Sequence, residues 1–231
     1  MINPKSPIYQ AGMKISDLLG EPRTDEYGCS LKWLRESQKV LDVACGTGTF
    51  LESRKGDTVG VDLNPQNVDY CVKKGLNARV GDALSIPFPD SSFDGVHCSH
   101  LMQVFGPKEA AQCIRELGRV VKPGGIVVIV TLNWFKRFFR HPENARPYPP
   151  DAIRRYFNVR QGTTSPMFPN LPRFEQEAIW LRRPSLVEFY SSTNYLLDEA
   201  CLLINRLQYK LFLRKYWAYD AYSIKLRCCK D

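Results

Sequence analysis

Three carboxylates and a run of bare glycines are the residues of this chain on which chemistry can be built. Asp42 lies in "LDVACGTGTF", residues 41–50, where an apolar run gives way to Gly46, Thr47, Gly48 and Thr49. Glycines and small residues leave backbone amides open to an approaching ligand. Asp62 stands in "VGVDLNP" and Asp82 in "VGDAL". A carboxylate at the end of a strand can accept both hydroxyls of a ribose. A second can meet an adenine amino group, and a third can attract an ammonium.

Two ligands compete for such a set, a dinucleotide and another adenosine compound. The dinucleotide fingerprint needs a third glycine, and Leu51 occupies its place. The negative charge of Asp42 would also repel a pyrophosphate. A cationic adenosine with an amino-acid tail suits all three acids, and S-adenosyl-L-methionine is that molecule. Taken singly, each residue has a plainer reading. The glycines make a tight turn, Asp62 caps the helix that opens at Pro65, and Asp82 is a turn residue. Together, at three successive strand ends, they favour a ligand.

Elements must hold these residues in place. Apolar runs predict strands at Val40–Ala44, Thr58–Asp62, Ala78–Gly81, Phe93–Ser99 and Gly125–Leu132. Helical stretches fall between them at Gly48–Arg54, Pro65–Lys74 and Pro107–Val121, with a short helix before them near Ser30–Glu36. The prolines suit first helical turns. "KPGG", residues 122–125, predicts a stop before the next strand. Strands alternating with helices imply an α/β fold, a doubly wound and mostly parallel sheet. After Leu132 the regularity falls. Asp151–Phe157 reads as a short helix, Phe174–Leu181 as a strand and Tyr195–Leu213 as a helix with one apolar face. "YDAYSIKLRCC", residues 219–229, alternates as an antiparallel closing strand would.

The chain has 231 residues and a formal net charge of +8, unevenly spread. Residues 1–114 carry −2 and residues 115–231 carry +10. Such asymmetry favours an anionic small molecule, nucleic acid or an acidic membrane surface as partner, and equally a solubilising surface. None of the eight cysteines stands in a CxxC pair, so no metal site is expected. No run of about 18 apolar residues occurs, so no membrane span is expected. Without an apolar signal core near Met1, the expected location is cytoplasmic and the thiols reduced.

The motifs stand in the order of a known family. "VLDVACGTG", "VGVDLNP", "VGDALSIPFPDSSFDGV", "HCSHLMQVF" and "LGRVVKPGGIVVIV" resemble the motifs of a class I S-adenosylmethionine-dependent methyltransferase of the type 11-like small-domain group, over about residues 40–132. Ala44 stands where many members have glycine. The resemblance implies a Rossmann-like core at 40–132 after an N-terminal leader at 1–39. It also implies an acceptor cap inserted at 133–218 and a closing strand of the core sheet at 219–231. In that scheme Asp42 and the backbone of Ala44, Cys45, Gly46, Thr47 and Gly48 hold the amino-acid end of the cofactor. Asp62 binds the ribose, and Leu63 lies against the adenine. Asp82 and Ala83 meet the adenine edge. Cys98 and Ser99 border the methionine part, and Tyr9 covers the site.

The acceptor is less legible. His100 follows the fourth strand, beside the expected methyl group, and is the candidate base or acceptor-binding residue. His97 reads as structural. Between 133 and 218, aromatics interleave with bases, Arg182 and Arg183 among them. This mixture suits a cap for an anionic, carrier-linked or lipid-linked small molecule, and "NWFKRFFRH" suits peripheral contact with an anionic bilayer. It equally suits a cap with an aromatic core and a basic outside. A tRNA-modifying enzyme and a non-catalytic scaffold of the same fold are the competing readings.

Overall fold

The computed structural model describes residues 26–54, 56–132, 142–157, 171–182 and 221–229. All of them fall in one compact unit, 25–182 with 219–231. Tyr9, Arg183, the expected helix at 195–213 and most of the aromatic and basic residues of 133–218 lie outside the described residues.

Five helices and seven strands are described. They are α1 (Glu26–Trp33), β1 (Lys39–Val43), α2 (Thr49–Ser53), β2 (Asp57–Asp62), α3 (Pro65–Lys73), β3 (Ala78–Val80), β4 (Phe93–Ser99), α4 (Pro107–Val120), β5 (Val121–Leu132), α5 (Pro150–Tyr156), β6 (Phe174–Arg182) and β7 (Ala221–Cys228). A single 3-10 turn, Met102–Val104, leads from β4 toward α4. The strands form one sheet in the order β3-β2-β1-β4-β5-β7-β6. β1 pairs in parallel with β2 and β4, β2 with β3, and β4 with β5. β7 runs antiparallel to both of its neighbours, β5 and β6. The winding therefore reverses between β1 and β4, the place where open α/β sheets bind ligands.

Local chemistry explains several boundaries. Asn64 caps α3: its side chain accepts the Gln66 N–H at 2.9 Å, and Pro65 opens the first turn. α1 begins four residues before the expected Ser30, because Ser30 is no cap. It is fully buried inside the helix, and its carbonyl accepts the Leu34 N–H at 3.0 Å. "KPGG" does not precede β5 but lies within it. β5 advances from Val121 to Ile126 while β4 advances only from Phe93 to Gly95, so the extra residues form a bulge. Phe174–Arg182, within the segment expected to form the cap, is the outer strand of the core sheet.

Strand alternation divides the sheet into two unlike faces. Leu41, Val43, Val59, Val61, Val96, Val127, Ile129 and Ile224 face one way, packing with Ile114 and Leu117 of α4. Val40, Val128 and Val130 face the other way, toward Leu34 and Phe50. By the same alternation Asp42, Asp62, His97, Ser99 and Ser223 share this second face.

Candidate functional site

The carboxyl ends of β1, β2 and β4 meet at the reversal of winding. β1 ends in a loop that turns with left-handed backbone at Ala44 (φ 59°), Gly46 (φ 54°) and Gly48 (φ 86°). At Gly46 a Cβ would have no heavy atom within 4 Å, so open space lies beside the backbone there. At Gly48 a Cβ would stand 2.6 Å from Leu76 Cδ1 and 2.9 Å from Cys71 Sγ. Gly46 thus fronts a space, and Gly48 permits close packing.

Asp62 ties this loop to β2. Its Oδ2 accepts the Gly46 N–H at 2.8 Å, and its Oδ1 accepts Asn64 N–H at 2.9 Å and Asn67 Nδ2 at 3.0 Å. A carboxylate has about four acceptor positions, so three donors leave it short of full occupancy. Leu63, the next residue, is 69% exposed, a large apolar side chain held at the surface beside the ribose candidate. Asp82 is exposed, and its Oδ1 accepts the Leu84 N–H at 2.8 Å. Ala83 is buried in the apolar core.

Asp42 is 3% exposed and does not stand alone. Its Oδ1 lies 2.7 Å from Nδ1 of the buried His97, its partner across the β1–β4 ladder. Burial pushes the Asp42 carboxyl above its usual range, and the neighbouring His97 acts in the opposite sense.

The other sequence candidates separate. Cys45 is buried with Cys71 behind the loop, and burial pushes both thiols up. Cys98 packs on the apolar face, where a hydrogen bond with Cys113 and burial raise its thiol far above the usual range. These thiols act as small core groups rather than nucleophiles. Ser99 lies on the opposite, polar face. Its Oγ is buried and has no hydrogen-bond partner among the described residues. His100 has left-handed backbone (φ 56°), and its N–H donates to Val130 O at 2.8 Å. Ala44 and His100 thus place non-glycine left-handed residues at the ends of two adjacent strands, a conformation that costs about 1–2 kcal/mol. Arg182 ends β6 and pairs with Ala221. Among the described residues no group of three or more His, Cys, Asp or Glu side chains could hold a metal ion.

Sequence reasoning missed a clamp on the loop after β3. Glu116 of α4 accepts the Ile86 N–H at 2.7 Å. Arg119, one turn on, donates to Ile86 O, Phe88 O and the Asp90 carboxylate at 2.9, 2.8 and 2.8 Å. Its guanidinium also binds both oxygens of Glu116. The clamp holds the segment carrying Asp82 against α4. Its signal in the sequence, a Glu and an Arg three apart in "ELGRV", reads equally as an exposed helix face.

Residues 41–129 match a family described as a methyltransferase domain. Over that stretch the chain carries a methyltransferase domain, similar to those of class I S-adenosylmethionine-dependent methyltransferases. A demethylmenaquinone methyltransferase of Deinococcus radiodurans is 36% identical over 104 residues, covering 40% of this chain and 42% of that protein. A human protein named "Probable tRNA methyltransferase 9B" is 34% identical over 92 residues, covering 39% of this chain and 20% of that one. The matched stretch thus spans less than half the length of either relative. In fold, the chain is similar to a solved SAM-dependent methyltransferase from Archaeoglobus fulgidus. The TM-score is 0.59 and the identity 18%, over 96% of this chain and 95% of that one.

Domains of this family use S-adenosylmethionine as cofactor. The residues present fit that molecule. The open space at Gly46 admits a ligand against the backbone, the Asp62 carboxylate lies beside it, and Leu63 offers an apolar surface next in line. When bound, this cofactor supplies an electrophilic methyl group on a sulfonium.

Proposed function

We propose that the chain is a cytosolic methyltransferase that moves a methyl group from S-adenosylmethionine to a small-molecule acceptor, anionic or lipid-linked. One observation carries the reading. The left-handed loop after β1, the Asp62 carboxylate and the left-handed His100 converge at the reversal of strand order, with open space at Gly46. In this scheme Asp42 and the loop amides take the amino-acid end, Asp62 the ribose, Leu63 and the Asp82–Ala83 segment the adenine. Methyl transfer is an in-line displacement that leaves a neutral thioether, so alignment of donor and acceptor supplies much of the rate. In the same scheme His100 orients the acceptor or takes its proton. Arg182, Arg183 and the parts of 133–218 outside the core sheet choose the acceptor.

The Deinococcus relative is named for a lipid-like quinone acceptor, which supports the lipid-linked reading. The human relative is named for tRNA, which with the +10 charge of residues 115–231 supports an RNA acceptor as the second reading. Incubation with S-adenosylmethionine labelled on its methyl group, with lipid extract and bulk tRNA in separate tubes, tests both. Label in the lipid phase supports the first reading. Label in the tRNA overturns it in favour of the second. Calorimetry showing no uptake of S-adenosylhomocysteine would remove both.

A further inference from the structure

His97 touches both ends of the glycine loop from beneath. Before the loop, Nδ1 lies 2.7 Å from the Asp42 carboxylate. After the loop, the imidazole stacks on Phe50 of α2, with centroids 3.9 Å apart and planes 16° from parallel. Tyr27 of α1 lies 6.1 Å from the imidazole centroid. The histidine is fully buried, and its Nε2 has no hydrogen-bond partner among the described residues.

The unpartnered Nε2 bears on the charge state. A protonated imidazole has two N–H donors, and here one of them would be buried without an acceptor. The neutral form with its proton on Nδ1 donates to Asp42 and leaves only a bare acceptor at Nε2. The pair then carries one negative charge, held on Asp42. That charge is what an ammonium group requires. Without His97, an Asp42 that is 3% exposed would keep neither its hydrogen bond nor its single orientation.

We propose that His97 is a positioning residue for the amino-acid tail of the cofactor, acting by fixing the Asp42 carboxylate against the ammonium while leaving the adenosine contacts alone. This rests on the S-adenosylmethionine reading of the site. The adenosine contacts belong to other strands: Asp62 ends β2, and Asp82 follows β3. The two ends of the cofactor should therefore respond separately to changes at His97.

The test is calorimetric titration with two probes, S-adenosylhomocysteine, which has the ammonium tail, and 5′-methylthioadenosine, which lacks it. Three variants divide the role. His97→Phe keeps a ring against Phe50 and removes the donor. His97→Gln places its amide N–H farther from the chain, and His97→Asn places one near the position of Nδ1. His97→Phe and His97→Gln should weaken S-adenosylhomocysteine about 10- to 100-fold, the usual weight of a hydrogen bond to a charged group. Their affinity for 5′-methylthioadenosine should stay within about twofold of wild type, and His97→Asn should recover most of the loss. An equal loss of both probes would overturn the proposal and leave His97 a purely structural support of the loop. Unchanged binding of both would overturn it as well. If His97→Phe fails to fold, the contrast between Gln and Asn decides the matter. Wild-type protein taking up neither probe sinks the cofactor reading itself, a result distinct from either of these.

Discussion

The two faces of the sheet divide packing from chemistry. Toward α4 the face is apolar, and its buried polar groups are paired: Thr131 donates to Gln103 at 2.9 Å, Tyr222 to the Tyr148 carbonyl, and Glu116 accepts the Ile86 N–H. The opposite face carries Asp42, Asp62, His97, Ser99 and Ser223 among its valines. Every buried side-chain nitrogen or oxygen without a partner among the described residues lies there: His97 Nε2, Ser99 Oγ and Ser223 Oγ. β4 shows the division within one strand. Val96 and Cys98 point into the apolar core, and His97 and Ser99 point to the polar side. A period of two lets a single strand serve both ends, at the cost of polar groups buried where a ligand or water must complete them.

Substitutions on the two faces should act on different properties of the protein. The largest effect belongs to the loop that borders the polar face. Gly46→Val places methyl groups in the open space and strains the left-handed backbone of the loop, and should abolish binding of S-adenosylhomocysteine while the protein stays folded. Circular dichroism beside calorimetry checks this, and wild-type affinity would move the site elsewhere. On the apolar face, Ile129→Ala should cost about 2–5 kcal/mol of stability by transfer and cavity effects. Cofactor affinity should not change. Urea unfolding and titration together test the independence of the two faces.

Asp62→Ala comes next, with an expected loss of about 1.5–3 kcal/mol of binding free energy for a charge-assisted hydrogen bond. Titration decides it, and unchanged affinity removes Asp62 from the ribose role.

Glu116 offers a pH test. Its hydrogen bond with Arg119 holds its carboxyl below the ordinary range. A depressed carboxylate contributes stability that is present above its unfolded value and lost as pH falls through the folded one. Glu116→Gln should therefore lower Tm near neutral pH, and the gap should close as pH falls from the ordinary glutamate value of about 4.3 through the depressed value of the folded state. A constant gap across the range would contradict the clamp. The smallest effect is expected at Ser223→Ala. Removing a buried hydroxyl without a partner should change stability by less than about 1 kcal/mol, in either direction. A large loss of activity with stability intact would instead give that hydroxyl a ligand.

The sequence announced these elements unevenly. Phe93–Ser99 is legible to the residue, because turn-forming residues precede it and Val96, His97, Cys98 and Ser99 alternate. β7 is legible for the same reason, and its alternation predicts the antiparallel closing strand that the sheet contains. The bulge at "KPGG" is not, since proline and glycine punctuate a chain equally when they end a strand and when they interrupt one. The loop acids are legible because glycine spacing marks them. The pairing of Asp42 with His97 is not: 55 positions separate them, and only the register of β1 against β4 brings them opposite. The same holds for Arg119 and the loop at 86–90, about thirty positions apart. Contacts set by register carry no local signature.

β7 is wedged between β5 and β6, although both of those strands precede it in the chain. During synthesis β6 leaves the ribosome before β7, its partner among the described strands, has been made. β5 waits with one side unpaired for the same segment. Until Ala221–Cys228 emerges, two strand edges are open to wrong partners, a state in which strand-rich intermediates aggregate. The sheet should therefore close late, once β7 docks between β5 and β6. A ribosome stalled before residue 221 should expose a nascent chain that proteases cut readily between β5 and β6. One stalled far enough beyond residue 228 to free β7 from the exit tunnel should protect it.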